Sequence, residues 1–85
     1  MIKDRTESGF EYEIDERRLS SMKVLRKISD VETSVAELPN LCIMIFGEEQ
    51  YDRYIEHLEQ TCGFDDATVA TSDIIGIFKS HRKNS

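Results

Sequence analysis

The sequence predicts an α+β fold that is mainly α, in which an N-terminal β-hairpin is followed by three to five short helices. Two patterns carry this prediction. Apolar and acidic residues alternate over residues 10–14, as in a strand with one covered face. Apolar residues recur at helical spacing over residues 19–28 and 51–62. A chain of 85 residues has room for one small domain. We place that domain at residues 1–80 and expect a frayed basic tail at 81–85.

The hairpin is predicted for residues 2–14. Glu7-Ser8-Gly9 has the residue types of a turn. After the turn, Phe10, Tyr12 and Ile14 would share one face of the second strand. An isolated hairpin is marginally stable in water, so this one must pack on the helices or pair with another chain.

The first helix is predicted from about residue 16 to 29. Asp15 is a suitable N-cap for it. Its apolar stripe consists of Leu19, Met22, Leu25 and Ile28.

A short helix is predicted within residues 30–40. Pro39 disfavours helical geometry at Leu38, so a break is expected there. Proline is also well suited to the first turn of a following helix.

Residues 41–46 form an uninterrupted apolar run that ends at Gly47. Periodicity alone does not separate a buried strand from a buried helix. β-Branched residues favour a strand, whereas Pro39, Gly47 and the helical neighbours favour a helix, which we predict. A helix that is apolar all round must be surrounded. Because so small a chain has few elements to surround it, we expect self-association or a partner at this segment.

Two more helices are predicted. The first spans about residues 48–61, and Gly63 would end it as the residue after the C-cap. The second begins at Thr71 or Ser72, after a short extended piece at 67–70. Gly76 lies within it, either because a helix crosses closely there or because the position has no special requirement. The predicted core is Leu19, Met22, Leu25, Ile28, Leu41, Met44, Ile45, Tyr51, Ile55, Leu58, Ile74 and Phe78.

Composition and charge exclude several classes of function. Seventeen acidic residues against eleven basic ones give a net charge of −6, which argues against a generally basic nucleic-acid binder. No apolar run approaches the ~20 residues of a membrane helix, and the first residues do not resemble a secretion signal. We therefore expect an intracellular protein with no membrane and no direct nucleic-acid partner.

The charge is unevenly distributed along the chain. Residues 15–27 carry a net charge of +3, whereas residues 28–78 hold eleven acidic residues and one basic residue, a net charge of −10. This asymmetry fits two interpretations, a set of solvated charged faces or complementary association with a second copy or with a charged partner.

No motif for catalysis, cofactor binding or metal binding is found. Cys42 and Cys62 form no C-x-x-C motif and are interpreted as small buried apolar residues. His57 and His81 lack further ligands at workable spacing, and His57 is interpreted as a surface histidine. We predict a non-enzyme with no cofactor and no metal.

The order of features resembles a known family. The segment Ser8–Glu16 leads into a basic-faced helix, and Gly47–Tyr51 precedes a helix that carries His57-Leu58. Over residues 8–80, this pattern is similar to the small tail assembly chaperones of long-tailed bacteriophages and prophages of Gram-positive bacteria. The chain departs from the family pattern at Pro39, in the apolar run 41–46, and in the turn 63–66.

The resemblance implies a non-enzymatic role in the cytoplasm of the bacterial host cell. Proteins of this family bind the long, apolar, helical tape-measure protein and keep it soluble until tail-tube subunits polymerise around it. The expected partners are therefore the tape-measure protein, a tail-tube subunit as a further candidate, and a second copy of the chain.

Four residues are predicted to bind the partner because they lie off the best-packed line of their helices: Ile43, Phe46, Tyr54 and Ile77. Phe46 is the first choice among them, and the alternative assignment is that Phe46 belongs to the core. Tyr54 also belongs to an apolar stripe with Leu58, which favours the core instead.

Two other functions stay open. One is a different phage component, such as a head–tail joining protein. The other is an acidic nucleic-acid mimic that inhibits a host nuclease.

Overall fold

A two-stranded antiparallel hairpin precedes four α-helices, which confirms the predicted mainly helical α+β fold. The structure is a computed structural model that describes residues 1–81. Its elements are β1 (Ile2–Arg5), β2 (Glu11–Ile14), a 3₁₀ helix (Glu16–Ser20), α1 (Met22–Thr33), a 3₁₀ turn (Val35–Glu37), α2 (Leu38–Phe46), α3 (Glu48–Cys62) and α4 (Ala67–His81).

The hairpin forms where the alternation predicts it. Ile2 pairs with Ile14 and Arg5 with Glu11, and the loop closes through a hydrogen bond from the Gly9 N–H to the Thr6 carbonyl at 2.9 Å. Tyr12 is buried, whereas Glu11 is exposed. One face of β2 therefore lies against the helices.

The Gln50 side chain of α3 binds the outer edge of β2. Its amide oxygen accepts from the Glu13 N–H at 2.9 Å, and its amide nitrogen donates to the Glu13 carbonyl at 3.0 Å and to the Phe46 carbonyl at 2.9 Å. The Gln50 amide thus satisfies the N–H and the carbonyl of Glu13, the two backbone groups that a third strand would otherwise bind. This contact ties the hairpin to the helices.

The predicted helix 16–29 is divided in two. Asp15 caps the 3₁₀ helix by accepting from the Arg17 N–H at 2.9 Å, so the predicted cap is confirmed. Ser21 then adopts an extended conformation, and α1 runs from Met22 to Thr33, past the predicted end.

The helix prediction for residues 41–46 is also confirmed, although α2 begins earlier, at Leu38. Pro39 lies in its first turn, as predicted. The expected break at Leu38 is wrong, because Leu38 is helical with φ −58° and ψ −44°. The chain breaks at Ser34 instead, which is extended with φ −148°.

The apolar α2 is surrounded within a single chain. Helices α1, α3 and α4, strand β2 and the 3₁₀ helix all pack against it. Leu41, Cys42, Ile45 and Phe46 are buried as a result. The argument that this segment needs a second subunit is therefore wrong, because the division of residues 16–37 supplies more elements than the sequence indicated. Self-association stays a prediction that rests on the charge asymmetry.

Helix α3 ends as predicted, but α4 begins earlier than predicted. Gly63 adopts φ 87°, a left-handed conformation that favours glycine, and its N–H donates to the Glu59 carbonyl. Residues 67–70 are helical rather than extended because Asp66 caps α4. The Asp66 carboxylate accepts from the Thr68 N–H at 2.9 Å.

The core only partly matches the predicted set. Leu41, Ile45, Leu58 and Ile74 are buried, as predicted. Six others are only half-buried: Leu19, Ile28, Met44, Tyr51, Ile55 and Phe78. Met22 and Leu25 contradict the prediction, with exposed fractions of 82% and 47%. Val24 is the buried residue of α1. The apolar stripe of the predicted first helix is therefore only partly covered by the core, and some of its apolar surface stays exposed.

Candidate partner-binding groove

An apolar groove of about 780 Å³ lies between α1 and α4. Leu38 and Leu41 of α2 also line it. Its apolar lining is completed by Leu19, Leu25, Ile28, Val31, Ile74, Ile75 and Phe78. The groove therefore contains most of the predicted first-helix stripe.

Leu25 and Ile75 are the groove residues that remain most exposed among its large apolar side chains, at 47% and 48%. One belongs to α1 and the other to α4. Complete burial of a fully exposed leucine or isoleucine side chain contributes roughly 1.5–3 kcal/mol of free energy. Because Leu25 and Ile75 are already about half covered, burial of what remains exposed would contribute about half of that for each. The chain alone provides no cover for them among the described residues.

The predicted partner-binding residues lie elsewhere. Phe46, Tyr54 and Ile77 are buried, with exposed fractions of 4%, 0% and 2%, and Ile43 is half-buried. None of the four lines the groove. The expectation that Phe46, Tyr54 and Ile77 overflow the core is wrong. Phe10 and Tyr12 of the hairpin cover Phe46, and Phe10 also covers Tyr54.

An aromatic cluster accounts for the burial of Phe46 and Tyr54. Their ring centroids lie 5.0 Å apart, and Phe10 lies 5.7 Å from Phe46 and 5.0 Å from Tyr54. Tyr12 adds a further ring 5.9 Å from Phe46. These spacings are typical of favourable aromatic pairs. The hairpin thus packs against the helices through aromatic rings that are far apart in the sequence.

Asp73 is a buried acid at the centre of a polar network, with 1% of its surface exposed. Its carboxylate accepts from the Ser8 N–H at 2.9 Å, the Ser8 hydroxyl at 2.6 Å and the Tyr54 hydroxyl at 2.7 Å. The hairpin turn is thereby attached to α3 and α4. Gly76 belongs to the same contact, because a β-carbon there would lie 3.3 Å from the Glu7 carboxylate. The close neighbour of Gly76 is this turn, not a crossing helix.

His57 extends the network and is half-buried, which corrects its interpretation as a surface residue. Its Nε2 lies 3.1 Å from the Ser8 hydroxyl. Since the single hydroxyl proton of Ser8 goes to Asp73, His57 donates here through Nε2–H. In a Ser-His-Asp triad the carboxylate holds the histidine. Here the Asp73 carboxylate accepts hydrogen bonds from Ser8 instead, and this arrangement fixes the hairpin turn.

His81 connects the end of α4 to the hairpin. Its Nε2 lies 3.1 Å from the Asp4 carboxylate and 3.2 Å from the Tyr12 hydroxyl. His81 is therefore the last residue of an ordered helix, and its assignment to a frayed tail is wrong. The rest of the predicted tail, residues 82–85, lies outside the described residues.

No group of three or more His, Cys, Asp or Glu side chains in residues 1–81 is placed to hold a metal ion. No helix among these residues has the length and apolar character needed to cross a membrane. Cys42 is buried and Cys62 half-buried, and both are free thiols.

The buried phenols and the Cys42 thiol predict a loss of stability in alkali. Burial raises the pKa of Cys42 from 9.0 to about 12. Burial, and next the charge of Asp4, raise the pKa of Tyr12 from 10.0 to about 12. Burial and then the hydrogen bond to Asp73 raise the pKa of Tyr54 even more. Folding favours the protonated forms, so the stabilisation is complete below about pH 9 and falls as the pH rises towards 12.

Urea denaturation at a series of pH values tests this expectation. The midpoint should fall steadily between pH 9 and 12. The variant Tyr54→Phe lacks one of the titrating groups, so its midpoint should fall less steeply. Equal slopes for both proteins would show that Tyr54 does not contribute.

No known protein family, curated protein or solved structure matches this chain.

Proposed function

We propose that this protein is a phage tail assembly chaperone that binds apolar helical segments of the tape-measure protein and keeps them soluble in the cytoplasm of the bacterial host cell. The observation that carries the proposal is the groove between α1 and α4, which is lined by apolar side chains and leaves Leu25 and Ile75 about half exposed. The family resemblance over residues 8–80 supplies the identity of the partner.

The dimensions of the groove suit a helix. The part of α4 that lines it runs from Thr71 to His81, which corresponds to about 16 Å, or three helical turns. An amphipathic helix binds such a groove through apolar residues spaced by three and four positions. Leu25, Ile28 and Val31 on one side and Ile74 and Phe78 on the other would pack against those residues.

Hydrogen bonds and an ion pair connect the elements that surround the groove. The hairpin is attached to α3 by Gln50 and to α4 by Asp73. Lys27 joins α1 to the 3₁₀ turn through Glu37 at 3.0 Å. A preformed groove loses less conformational freedom on binding than one that must first be ordered, which favours affinity.

Co-expression with the tape-measure protein of the same phage or prophage tests the proposal. In the double variant Leu25→Asp/Ile75→Asp, two carboxylates would replace apolar walls of the groove. We expect the soluble tape-measure protein to fall at least tenfold, because the loss of even one well-buried apolar contact costs roughly 1.5–3 kcal/mol.

The matched control is Val35→Asp/Phe64→Asp. These two side chains are 62% and 58% exposed and do not line the groove. The control should retain capture. Equal capture by both double variants would place the binding surface elsewhere. Failure of the unmodified chain to solubilise the tape-measure protein would contradict the proposed function itself.

A further inference from the structure

We infer that the groove binds its partner helix in one direction, with the C-terminal end of that helix beside Lys79 and its N-terminal end beside Glu32. The inference rests on the proposed helix-binding role of the groove. Lys79 and Glu32 both line it. It deepens that role by assigning a polarity and a charge pattern to the partner.

The two ends of the groove are defined by the packing of α1 and α4. The 3₁₀ helix directly precedes the first turn of α1, whereas Glu32 lies in its last turn. The 3₁₀ helix also packs against α4, and His81 at the end of α4 binds the hairpin. Tyr12 of β2, the strand that leads into the 3₁₀ helix, lies 3.2 Å from His81, so Lys79 lies at the end of the groove beside that helix, which we call the 3₁₀ end. Glu32, in the last turn of α1, lies towards the opposite end.

The charges differ between these two ends. At the end beside the 3₁₀ helix, the groove is lined by Arg17 and Lys79 against Glu16, a net charge of +1. The charged residue that lines the opposite end is Glu32. Neither Lys79 nor Glu32 forms an ion pair within residues 1–81.

A helix carries a partial negative charge at its C-terminus and a partial positive charge at its N-terminus. Docking the C-terminus at the 3₁₀ end places opposite charges together at both ends of the groove. Docking in the reverse direction places like charges together. The preferred partner is therefore an amphipathic helix of about three turns that is basic at its start and acidic at its end.

Two stapled amphipathic peptides of about 14 residues test the direction. Both carry the same leucine stripe. One has lysines at its N-terminal end and glutamates at its C-terminal end, and the other has the reverse. The first should bind the unmodified chain about 3–10-fold more tightly, because two end contacts each contribute a modest electrostatic preference. In Lys79→Glu/Glu32→Lys, this preference should disappear or reverse.

The control Lys3→Glu/Glu59→Lys makes the same charge changes outside the groove and should keep the original preference. Persistence of that preference in Lys79→Glu/Glu32→Lys would overturn the inference, as would failure of both peptides to bind the folded protein.

A second measurement needs no variant. A nitroxide at the C-terminus of the first peptide should broaden the amide signals of Phe78 and Lys79 more than those of Val31 and Glu32, and the reverse pattern would also overturn the inference.

These results separate the direction of binding from the proposed function. Directional peptide binding without capture of the tape-measure protein would retain the inference and contradict the function. Capture of the tape-measure protein together with the opposite peptide direction would contradict the inference alone.

Discussion

The variant Phe46→Ser should lose about 3–5 kcal/mol of unfolding free energy, a large share of the 5–15 kcal/mol typical of small proteins. Phe46 is 4% exposed and lies in edge contact with Phe10 and near Tyr54. Removal of its ring leaves a cavity where the hairpin meets α2 and α3. The serine hydroxyl would also be buried there, which adds to the cost unless it finds a partner.

Urea denaturation monitored by circular dichroism measures this effect. Phe64→Ser is the matched control, since it makes the same chemical change at a side chain that is 58% exposed. The control should shift the unfolding free energy by less than about 0.5 kcal/mol. If both variants were equally stable, Phe46 would be a surface residue, and its assignment as a partner anchor would have to be restored.

The second large effect is expected for Asp73→Ala, which should cost about 3 kcal/mol or more. The change removes the acceptor for the Ser8 N–H, the Ser8 hydroxyl and the Tyr54 hydroxyl. Each buried donor left without a partner costs roughly 1–3 kcal/mol. Asp65→Ala is the control, because Asp65 is exposed and close in sequence.

A double-mutant cycle with Tyr54→Phe identifies the cause. If the Tyr54 hydroxyl and Asp73 stabilise each other, their combined substitution should cost less than the sum of the two single losses, by about 0.5–3 kcal/mol. Exact additivity would mean that the 2.7 Å contact contributes nothing to stability.

Local signals in the sequence predicted much of the fold. Helix α3 was placed within one residue of its end because acidic residues mark its first turn and Gly63 its C-terminal cap. The hairpin followed from a turn and a period of two. The start of α4 was misplaced because Thr68 and Val69 favour strands. The capping hydrogen bonds from Asp66 outweigh that preference.

The groove and the polar network depend on contacts that are distant in sequence. The spacing of Met22 and Leu25 identifies one apolar side of a helix, but it does not reveal whether other elements cover that side. Ser8 and Asp73 are separated by 65 positions, and no local pattern connects them. The same applies to Phe46, which is buried by Phe10 from the hairpin. Only the assembled chain distinguishes an apolar side chain that is covered from one that is exposed.

The attachment of the hairpin to Asp73 has a consequence for synthesis on the ribosome. Residues 1–14 emerge before the helices, whereas their most distant partners, Asp73 and His81, emerge much later. At ~5–20 residues per second, the apolar face of β2 would wait roughly 3–13 s before α4 is complete. The loop that joins Ser8 and Asp73 must also close over 65 positions, which slows folding. The nascent protein therefore exposes an apolar strand before its own groove exists, and for those seconds it is itself prone to aggregation.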